Sequence, residues 1–350
     1  MPGREHADFA ARVVAWQRAH GRNDLPWQHT RDPYRVWLSE IMLQQTQVTT
    51  VLRYYDRFLA RFTDVTALAA APLDDVLASW SGLGYYGRAR NLHRCAQAIV
   101  AEHGGQFPCT SAGLVQLPGI GRSTAAAVAV FCFGERAAIL DGNVKRVLTR
   151  VLGHDGDLSV AANEGALWAK AGTLVPEHDI ESYTQGLMDL GATLCVQRAP
   201  ACLQCPAATA CRARRDGDPE RYPVKTRRLV RTRRESWWLW LEWRGRVWLH
   251  QRPERGVWAG LWSLPLHDDE PSLHAVAAAL GTRVETLPSI EHALTHFDWT
   301  LHPRRANLSR RPVAALLGPG RWVDLAQLEA VALPAPLRRL LDADALARAA

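Results

Sequence analysis

Four of the seven cysteines lie within 17 residues, and this array constrains the fold more than any other feature of the sequence. They follow the pattern C-x6-C-x2-C-x5-C, at Cys195, Cys202, Cys205 and Cys211. Four thiolates in so short a segment can surround one metal centre. Zinc is the main alternative, but four-cysteine zinc sites usually consist of two C-x2-C pairs far apart in sequence, so the spacing favours a compact cluster.

The composition is typical of a folded cytoplasmic protein. Hydrophobic residues make up 47% and charged residues 22% of the chain, which is ordinary for a globular protein. The sequence contains neither a run of 18 apolar residues nor a secretory signal at its start, so we expect no membrane association. An odd number of cysteines in the cytoplasm argues against a disulfide framework.

The net charge of +7 comes entirely from one stretch. Residues 212–234 contain ten Lys and Arg and three Asp and Glu, which leaves 32 basic and 32 acidic residues in the rest of the chain. A basic segment of this kind suits a polyanion such as nucleic acid, although a solvated linker has the same composition.

The periodicity of the hydrophobic residues divides the chain into two parts. From residue 8 to about 211 the spacing is helical, with short Gly and Pro breaks, and predicts an all-α domain over 1–211. Residues 236–253 predict a β-hairpin, 273–281 a helix, 292–303 a strand, and 324–333 and 336–349 two helices. We therefore expect a small α+β domain over 235–350, with 212–234 as the interdomain linker.

Glu40 lies within WLSEIMLQQTQV, residues 37–48, which has the pattern of one amphipathic helix. Side chains three and four residues apart share a helix face, which places Glu40 beside Trp37 and Leu43. A carboxyl group among apolar neighbours is poorly solvated, so its pKa should be raised. It is either a surface charge at a helix edge or a proton donor.

A second carboxyl group, Asp141, precedes a predicted helix in ILDGNVKRVLTR. At this N-cap position the helix dipole and the free N–H groups favour the ionised form, although a plain helix cap would look the same. Upstream, LPGIG at 117–121 predicts a turn that opens into a helix. Gly119 and Gly121 there permit positive φ and close backbone approach, which suits a phosphate at the helix start.

The cysteine spacing and the LPGIG turn resemble the endonuclease III-like DNA glycosylases, which have a helix-hairpin-helix motif. The resemblance implies one 4Fe-4S cluster held by the four cysteines, with Arg198 near DNA. It makes Asp141 the catalytic aspartate, since Asp141 follows the hairpin at the family's spacing. A protonated Glu40 and an ionised Asp141 would supply the proton and the anion that breaking a glycosidic bond requires.

Lyase-competent members of the family carry a lysine in the helix after the hairpin, where this chain has Ser123. A hydroxyl group cannot form an imine with the sugar. The resemblance therefore implies an enzyme that only hydrolyses the base and leaves an abasic site.

Several stretches, LPWQ, WLSEIMLQQTQV, GLGYYGRARNLH, LDGNVKRV and QGLMDLGA, resemble the MutY type of adenine DNA glycosylase. The resemblance implies a monomer that acts on double-stranded DNA and removes adenine mispaired with 8-oxoguanine or guanine, after flipping it into a pocket. Trp27 and Gln185 would line that pocket. Gln45 and Tyr85 would fill the gap in the duplex, and Leu83 and Thr46 would lie near 8-oxoguanine, with core packing as the less favoured explanation for Leu83 and Tyr85.

Residues 251–265 and 294–303 resemble the Nudix-like C-terminal domain of the same family, which helps to read 8-oxoguanine. The acidic box that holds magnesium in Nudix hydrolases does not follow Gly260, where the chain reads HDDEPS instead. The resemblance makes Thr295 and His296 the lesion-sensing pair. The family commonly has Phe-Ser-His where this chain has Leu294-Thr295-His296.

Three alternatives remain beside the adenine glycosylase. An endonuclease III-like glycosylase/lyase for oxidised pyrimidines would need a lysine in place of Ser123. A non-catalytic iron–sulfur DNA-binding protein would have no use for the two carboxyl groups. A nucleotide hydrolase would need the missing acidic box. The basic segment could contact DNA or another repair protein.

Overall fold

The structure is a computed structural model that describes residues 2–226, 230–310 and 316–349. The predicted linker 212–234 therefore lies partly outside the described residues, at 227–229. Contacts divide the chain into two compact units. Unit 1 comprises residues 1–51, 62–69 and 94–228, and unit 2 comprises residues 52–61, 70–93 and 229–350.

The first 215 residues form helices, as the periodicity predicts. The α-helices are α1 Pro2–His20, α2 Pro33–Leu43, α3 Val48–Arg61, α4 Val65–Ala70, α5 Leu73–Ser79, α6 Gly87–His103, α7 Ser111–Leu114, α8 Arg122–Phe133, α9 Gly142–Leu152, α10 Ala161–Leu174, α11 Ile180–Thr193 and α12 Arg212–Arg215. Short 3₁₀ helices span Pro26–Gln28 and Pro219–Arg221. Within the described residues, none of the helices has the length and apolar character needed to cross a membrane.

The stretch WLSEIMLQQTQV is not one helix, which corrects the sequence-based expectation. Helix α2 ends at Leu43 and α3 begins at Val48, because Gln45 adopts a left-handed conformation with a φ of 56°. A positive φ cannot be continued into a right-handed helix. Glu40 therefore lies on α2, whereas Gln45 and Thr46 lie in the turn that follows it.

The core of unit 1 is formed mainly by α1 and α8–α11, and a glycine sets how closely two of these helices approach. Val144 and Leu148 of α9 are buried together with Leu187 and Leu190 of α11. At Gly191 of α11, an added Cβ would lie 2.5 Å from the Cβ of Asn143 and 3.0 Å from its backbone. Only glycine allows α11 to pack this tightly against the first turn of α9.

The chain after the basic stretch forms a mixed sheet with two helices. Strand β1 pairs antiparallel with β2 and β4 and parallel with β7, while β2 also pairs with β3 and β8, and β7 with β5 and β6. The elements are β1 Thr232–Trp243, β2 Arg246–Gln251, β3 Trp262–Ser263, β4 Leu266–His267, α13 Glu270–Ala279, β5 Glu285–Thr286, β6 Ile290–Ala293, β7 Phe297–Asn307, β8 Arg321–Asp324 and α14 Ala335–Ala349.

Two sequence-based expectations for this part are wrong in detail. Residues 292–303 form the ends of two strands, β6 and β7, around a turn at 294–296, and not one strand. The stretch 324–333 contains only a 3₁₀ helix, Leu325–Ala330, where an α-helix was expected. The predicted hairpin is confirmed, and its turn is made by Arg244 and Gly245, both with positive φ. Such a two-residue turn matches the twist of the flanking strands.

Within unit 2, the segment 70–93 is hydrogen-bonded to the C-terminal part of the chain. The hydroxyl groups of Ser81 and Tyr86 both donate to the carbonyl oxygen of Leu333, over 3.1 and 3.0 Å. The indole N–H of Trp262 donates to Asp74 over 3.1 Å. These bonds hold the loop that contains Leu83 and Tyr85 against C-terminal residues.

Candidate active site

Unit 1 contains a cleft of about 1510 Å³. One part of its lining is the C-terminal half of α2, the turn that follows it and the 3₁₀ helix Pro26–Gln28. The other part is the first turns of α8 and α9 and one face of α11. The cleft collects seven residues that the sequence singles out: Trp27, Glu40, Gln45, Thr46, Ser123, Asp141 and Gln185.

Glu40 faces this cleft from a helix that is otherwise largely buried. Trp37 and Met42 are fully buried, and Trp37 packs edge-on against Phe107, with 5.5 Å between the ring centroids. Burial raises the pKa of the Glu40 carboxyl to about 7, and the negative charge of Asp141 adds to the increase. A carboxyl group with a pKa near neutrality can hold and release a proton at physiological pH. The predicted rise of its pKa is confirmed.

Asp141 is the N-cap of α9, as predicted. Its side chain accepts a hydrogen bond of 2.7 Å from the backbone N–H of Val144. Burial raises the pKa of Asp141, although the N–H groups of Val144 and Asn143 and the positive charges of Arg146 and Lys145 each lower it. The sequence anticipates the stabilising helix start but not the burial, which has the larger effect.

The charge of Asp141 acts on Glu40. An ionised Asp141 raises the pKa of Glu40 and so favours the protonated form of that carboxyl group. The cleft can therefore hold one proton donor beside one anion. This is the pairing that cleavage of a glycosidic bond uses.

Trp27, Ser123 and Gln185 surround the same space. Trp27 is buried, with 8% of its surface exposed, and belongs to the 3₁₀ helix that starts at Pro26. The hydroxyl of Ser123 accepts a hydrogen bond of 3.1 Å from the N–H of Leu140, next to Asp141. The amide of Gln185 donates to Asp189 over 2.9 Å. An indole face, a hydroxyl and an amide are groups that can hold a nucleobase.

The glycines of the LPGIG turn behave differently from each other. Gly119 has a φ of 76°, which a larger residue would rarely adopt. Gly121 is the N-cap of α8 with a φ of −83°, so the expectation of a positive φ there is wrong. A Cβ added at Gly121 would meet nothing within 4 Å. The space in front of the α8 N-terminus is open, which suits the approach of a phosphate.

The remaining candidate residues lie in unit 2. Leu83 is buried, as core packing requires, whereas Tyr85 is 49% exposed and has a φ of 48°. Thr295 and His296 are exposed in the turn between β6 and β7. Asp269 caps helix α13 by accepting from Ser272, and Glu270 pairs with Arg304 at 2.7 Å, so two of the three acidic residues of HDDEPS have structural partners.

The four cysteines lie in one neighbourhood of unit 1. Burial raises the pKa of the Cys205 thiol to about 11, and the other three cysteines contribute to the increase. The described residues include no group of three or more ligand side chains at single-ion distances. A multi-iron cluster places its own iron and sulfide atoms between the thiolates, so four neighbouring thiols fit it as a set of ligands.

Two arginines of α9 contact the cysteine loop. Arg146 donates to the carbonyl oxygen of Cys195 over 2.7 Å and to the side chain of Asn143 over 2.8 Å. Arg150, only 1% exposed, donates to the sulfur of Cys195 over 3.4 Å and to the carbonyl oxygen of Val196 over 2.7 Å. Helix α9 thus connects the cysteine loop to its own N-terminus, where Asp141 is the cap.

Sequence reasoning missed three residues of the site. Asn143 and Gln28 line the cleft, and Asp189 is completely buried next to it. Asn143 and Asp189 belong to stretches that the sequence marks, LDGNVKRV and QGLMDLGA, and Gln28 ends LPWQ. Each could have been found from its position within a motif, but the contact between Asp189 and Arg22 joins residues distant in sequence, which no local pattern predicts.

Two family models match the chain. The model described as HhH-GPD superfamily base excision DNA repair protein matches residues 38–170, and the model described as NUDIX domain matches residues 236–343. These matches confirm the predicted fold class, a helix-hairpin-helix glycosylase part followed by a Nudix-like α+β part.

Curated relatives align with nearly the whole chain. An adenine DNA glycosylase of Buchnera aphidicola subsp. Schizaphis graminum is 33% identical over 339 residues, which cover 95% of this chain and 98% of that protein. An adenine DNA glycosylase of Homo sapiens is 31% identical over 399 residues, covering 95% of this chain and 73% of that protein.

Solved structures resemble the helical part. A thermostable thymine-DNA glycosylase is 31% identical with a TM-score of 0.56, covering 61% of this chain and 98% of that one. A trapped endonuclease III–DNA covalent intermediate has a TM-score of 0.50 at 20% identity, again covering 61% and 98%, and this likeness shows the fold alone.

Proposed function

The chain belongs to the adenine DNA glycosylases, and on this premise we propose that it hydrolyses the N-glycosidic bond of adenine paired with 8-oxoguanine or guanine in double-stranded DNA. It is thus an enzyme of base excision repair, a hydrolase that acts on N-glycosyl bonds. One observation carries the chemistry of the proposal. Glu40 and Asp141 line the same cleft, and burial together with the charge of Asp141 brings the pKa of Glu40 to about 7.

Glu40 acts as the general acid. A neutral adenine is a poor leaving group, and a proton on one of its ring nitrogens lets it depart with the electrons of the glycosidic bond. Because the pKa of Glu40 is raised to about 7, its side chain can hold the required proton at neutral pH. Trp27, buried beside the cleft, offers a flat face for the extruded base.

Asp141 supplies the negative charge that stabilises the sugar cation. As the base leaves, positive charge develops on the ring oxygen and the anomeric carbon. The Asp141 carboxylate is fixed in place by the N–H of Val144 at the start of α9 and needs no reorganisation. Water then completes the hydrolysis at the anomeric carbon and leaves an abasic site.

Ser123 supports a reaction that stops at the abasic site. Its hydroxyl faces the cleft and accepts from the N–H of Leu140. A serine cannot displace the base as an amine and hold the sugar as an imine. An endonuclease III-like lyase reaction lacks its nucleophile at this position.

Contacts to the DNA follow from exposed groups near helix starts and in turns. Gly119 and Gly121 lie at the open N-terminus of α8 and would contact the backbone phosphates. Arg198 is exposed on the cysteine loop and would add a second contact. The basic segment 212–234, as a linker after the helical domain 1–211 and before the domain 235–350, would lie on DNA or contact another repair protein.

The strained or exposed residues are the candidates for reading the lesion. Gln45 and Tyr85, both with positive φ, would enter the gap left by the flipped adenine. Leu83 and Thr46 would lie near 8-oxoguanine, with Thr295 and His296 sensing it from the exposed β6–β7 turn.

Cys195, Cys202, Cys205 and Cys211 would hold one 4Fe-4S cluster. When bound, such a cluster cross-links the loop from Cys195 to Cys211 and offers a redox-active centre. Arg150 and Arg146 already fix the first cysteine of that loop through its sulfur and its carbonyl oxygen. About four irons per chain are expected on metal analysis, whereas zinc in their place would contradict the cluster.

The deciding experiment is a single-turnover assay on duplexes that carry adenine opposite 8-oxoguanine, adenine opposite guanine, or thymine opposite guanine. The thymine duplex is included because a thymine-DNA glycosylase shares the fold of the helical part. We expect release of adenine from the first two duplexes, strand cleavage only after hot alkali, and no adduct on borohydride treatment.

Glu40→Gln is the matched control, since it keeps the size of the side chain but cannot donate the catalytic proton. It should bind the adenine duplexes and release no base. Retained activity in this variant would remove Glu40 as the acid. Release of thymine in preference to adenine would overturn the proposed substrate.

A further inference from the structure

The carboxyl group of Asp189 lies next to the cleft and is completely buried. Its exposed fraction is 0%, and it belongs to α11. Its oxygen Oδ2 accepts the backbone N–H of Arg22 over 2.9 Å, and its oxygen Oδ1 accepts Nε of the same arginine over 2.7 Å. A buried carboxylate in contact with a guanidinium group and a backbone N–H is an acceptor for hydrogen bonds.

The same oxygen Oδ1 also accepts from Gln185, one turn earlier on α11, over 2.9 Å. A glutamine amide has one end that donates and one that accepts, and only the nitrogen Nε2 can donate to a carboxylate. The orientation of the Gln185 amide is therefore determined by Asp189. The acceptor end, Oε1, is left for a ligand in the cleft that Gln185 lines.

A second amide in the cleft is oriented in the opposite sense. The oxygen Oε1 of Gln28 accepts from the N–H of Leu25 over 3.1 Å, which leaves the nitrogen Nε2 as its free end. This nitrogen is buried and has no hydrogen-bond partner among the described residues. The residues that line the cleft thus include an acceptor on Gln185 and a buried, unpaired donor on Gln28.

This combination matches the edge of adenine. Adenine offers its exocyclic amino group as a donor, next to ring nitrogens that accept, whereas a 6-oxo purine has an acceptor at the same position. An acceptor held at Gln185 would bind the amino group and leave a 6-oxo group unpaired. Burying an unpaired polar group is costly, so a fixed acceptor discriminates against the 6-oxo base.

We propose that Asp189 is a positioning residue that fixes the Gln185 amide as an acceptor and thereby sets the preference for a 6-amino purine over a 6-oxo purine. The proposal deepens the proposed function and rests on it. In Asp189→Asn the side chain has both a donor and an acceptor, so the amide of Gln185 can turn over and present Nε2 to the cleft.

The test compares single-turnover excision of adenine and of hypoxanthine, each opposite guanine, in four proteins. For Asp189→Asn we expect the adenine-to-hypoxanthine rate ratio to fall at least about tenfold from the wild-type ratio. Gln185→Met, which keeps the length of the side chain but lacks the acceptor, should lower the ratio to a similar extent. Adding Asp189→Asn to Gln185→Met should change the ratio no further, because the two residues act in one chain of hydrogen bonds.

Arg22→Lys is the matched control. It removes the guanidinium contact with Asp189 but leaves the contact between Asp189 and Gln185, so the rate ratio should stay at the wild-type value. A purely structural role of Asp189 would lower both rates equally, and an unchanged ratio in Asp189→Asn would overturn the proposal.

If Asp189→Asn does not fold, Gln185→Met still tests the proposal. An unchanged rate ratio in Gln185→Met also overturns the proposal. A wild-type protein that releases no adenine would contradict the proposed function itself. That outcome differs from one in which the protein releases adenine but no variant changes the adenine-to-hypoxanthine rate ratio, which would contradict only the role of Asp189.

Discussion

At the scale of single residues, the proposed acid–base chemistry depends on the protonation of Glu40. The pKa of Glu40 is raised to about 7, first by burial and then by the charge of Asp141. An acid works only while it is protonated, so under the proposed function Glu40 would set the alkaline limit of the reaction. Asp141, which we propose to stabilise the sugar cation, would also favour the protonated form of Glu40.

We expect the single-turnover rate of adenine excision to fall as pH rises through about 7, where Glu40 loses its proton. The sign follows from the raised pKa, because below that value the acid form predominates and above it the inactive carboxylate does. The loss should approach about tenfold per pH unit on the alkaline side. Rates measured with enzyme in excess over an adenine–guanine duplex give the profile.

Binding of a duplex that contains an abasic site, measured over the same pH range, is the control for this profile. Binding that declines together with the rate would assign the effect to DNA contacts. A rate that stays constant from about pH 6 to about pH 9 would contradict the role of Glu40.

The sequence alone predicts the two carboxyl groups but not Asp189. Glu40 and Asp141 stand out because a charge within an apolar helix and a charge at a helix start are local patterns. Asp189 occurs in a motif, yet its contact with Arg22 joins residues 167 positions apart in the sequence. Contacts at such separation leave no periodicity in one sequence.

At the scale of the elements, helix α9 connects the parts of the site. Its first turn carries Asp141 and Asn143, and its third carries Arg150, which contacts the cysteine loop. Gly191 of α11 sets how closely a neighbouring helix approaches that first turn. The position of Asp141, the proposed catalytic carboxylate, therefore depends on the packing of α11.

Gly191→Ala should push α11 away from Asn143, because the new Cβ would lie 2.5 Å from the Cβ of that residue. We expect a loss of about 1–3 kcal/mol in the free energy of unfolding, as for other overpacked sites. The rate of adenine excision should also fall, since Asp141 begins the displaced turn. Urea denaturation and single-turnover rates measure the two effects.

Gly165→Ala is the matched control, because Gly165 is exposed in α10 and an added Cβ there meets nothing within 4 Å. It should leave the rate unchanged and stabilise the protein by up to about 1 kcal/mol, as alanine does in a helix. Equal effects of the two substitutions would contradict the packing argument.

Element boundaries show where sequence patterns are insufficient. Helices α8 and α9 begin where the sequence predicts them, directly after the LPGIG turn and after Asp141, because turn and cap signals are local. The break between α2 and α3 was missed, since QQTQ contains neither Gly nor Pro. The positive φ of Gln45 is a conformation that the surrounding structure imposes.

At the scale of the whole molecule, the linear order of the chain differs from its division into compact units. Residues 52–61 and 70–93 belong to the predicted helical domain, but their contacts group them with residues 229–350. The bonds from Ser81 and Tyr86 to Leu333 and from Trp262 to Asp74 explain this grouping. Periodicity finds the change from helices to strands, but it cannot assign a helical segment to a distant partner.

A chain that ends at residue 226 should lose amide protection over residues 70–93, because it lacks the acceptor and donor groups of Leu333 and Trp262. Each lost hydrogen bond removes about 1 kcal/mol. Hydrogen–deuterium exchange with mass spectrometry of the full and shortened chains measures this directly.

Helix α8 is the internal control for the shortened chain, since its described neighbours lie within unit 1. Its protection should be the same in both chains. Unchanged protection over residues 70–93 would show that these bonds do not stabilise the segment.

The carbonyl oxygen of Leu333 also imposes an order of events during synthesis. The hydroxyl groups of Ser81 and Tyr86 are made 252 and 247 residues before their acceptor. At ribosomal speeds of about 5–20 residues per second, the wait is roughly 10 to 50 seconds. During this time residues such as Asp141 and Cys211 have already been made, while the loop around Tyr85 still lacks its support. The segment that would probe the DNA duplex therefore gains these two hydrogen bonds only after Leu333 has been made.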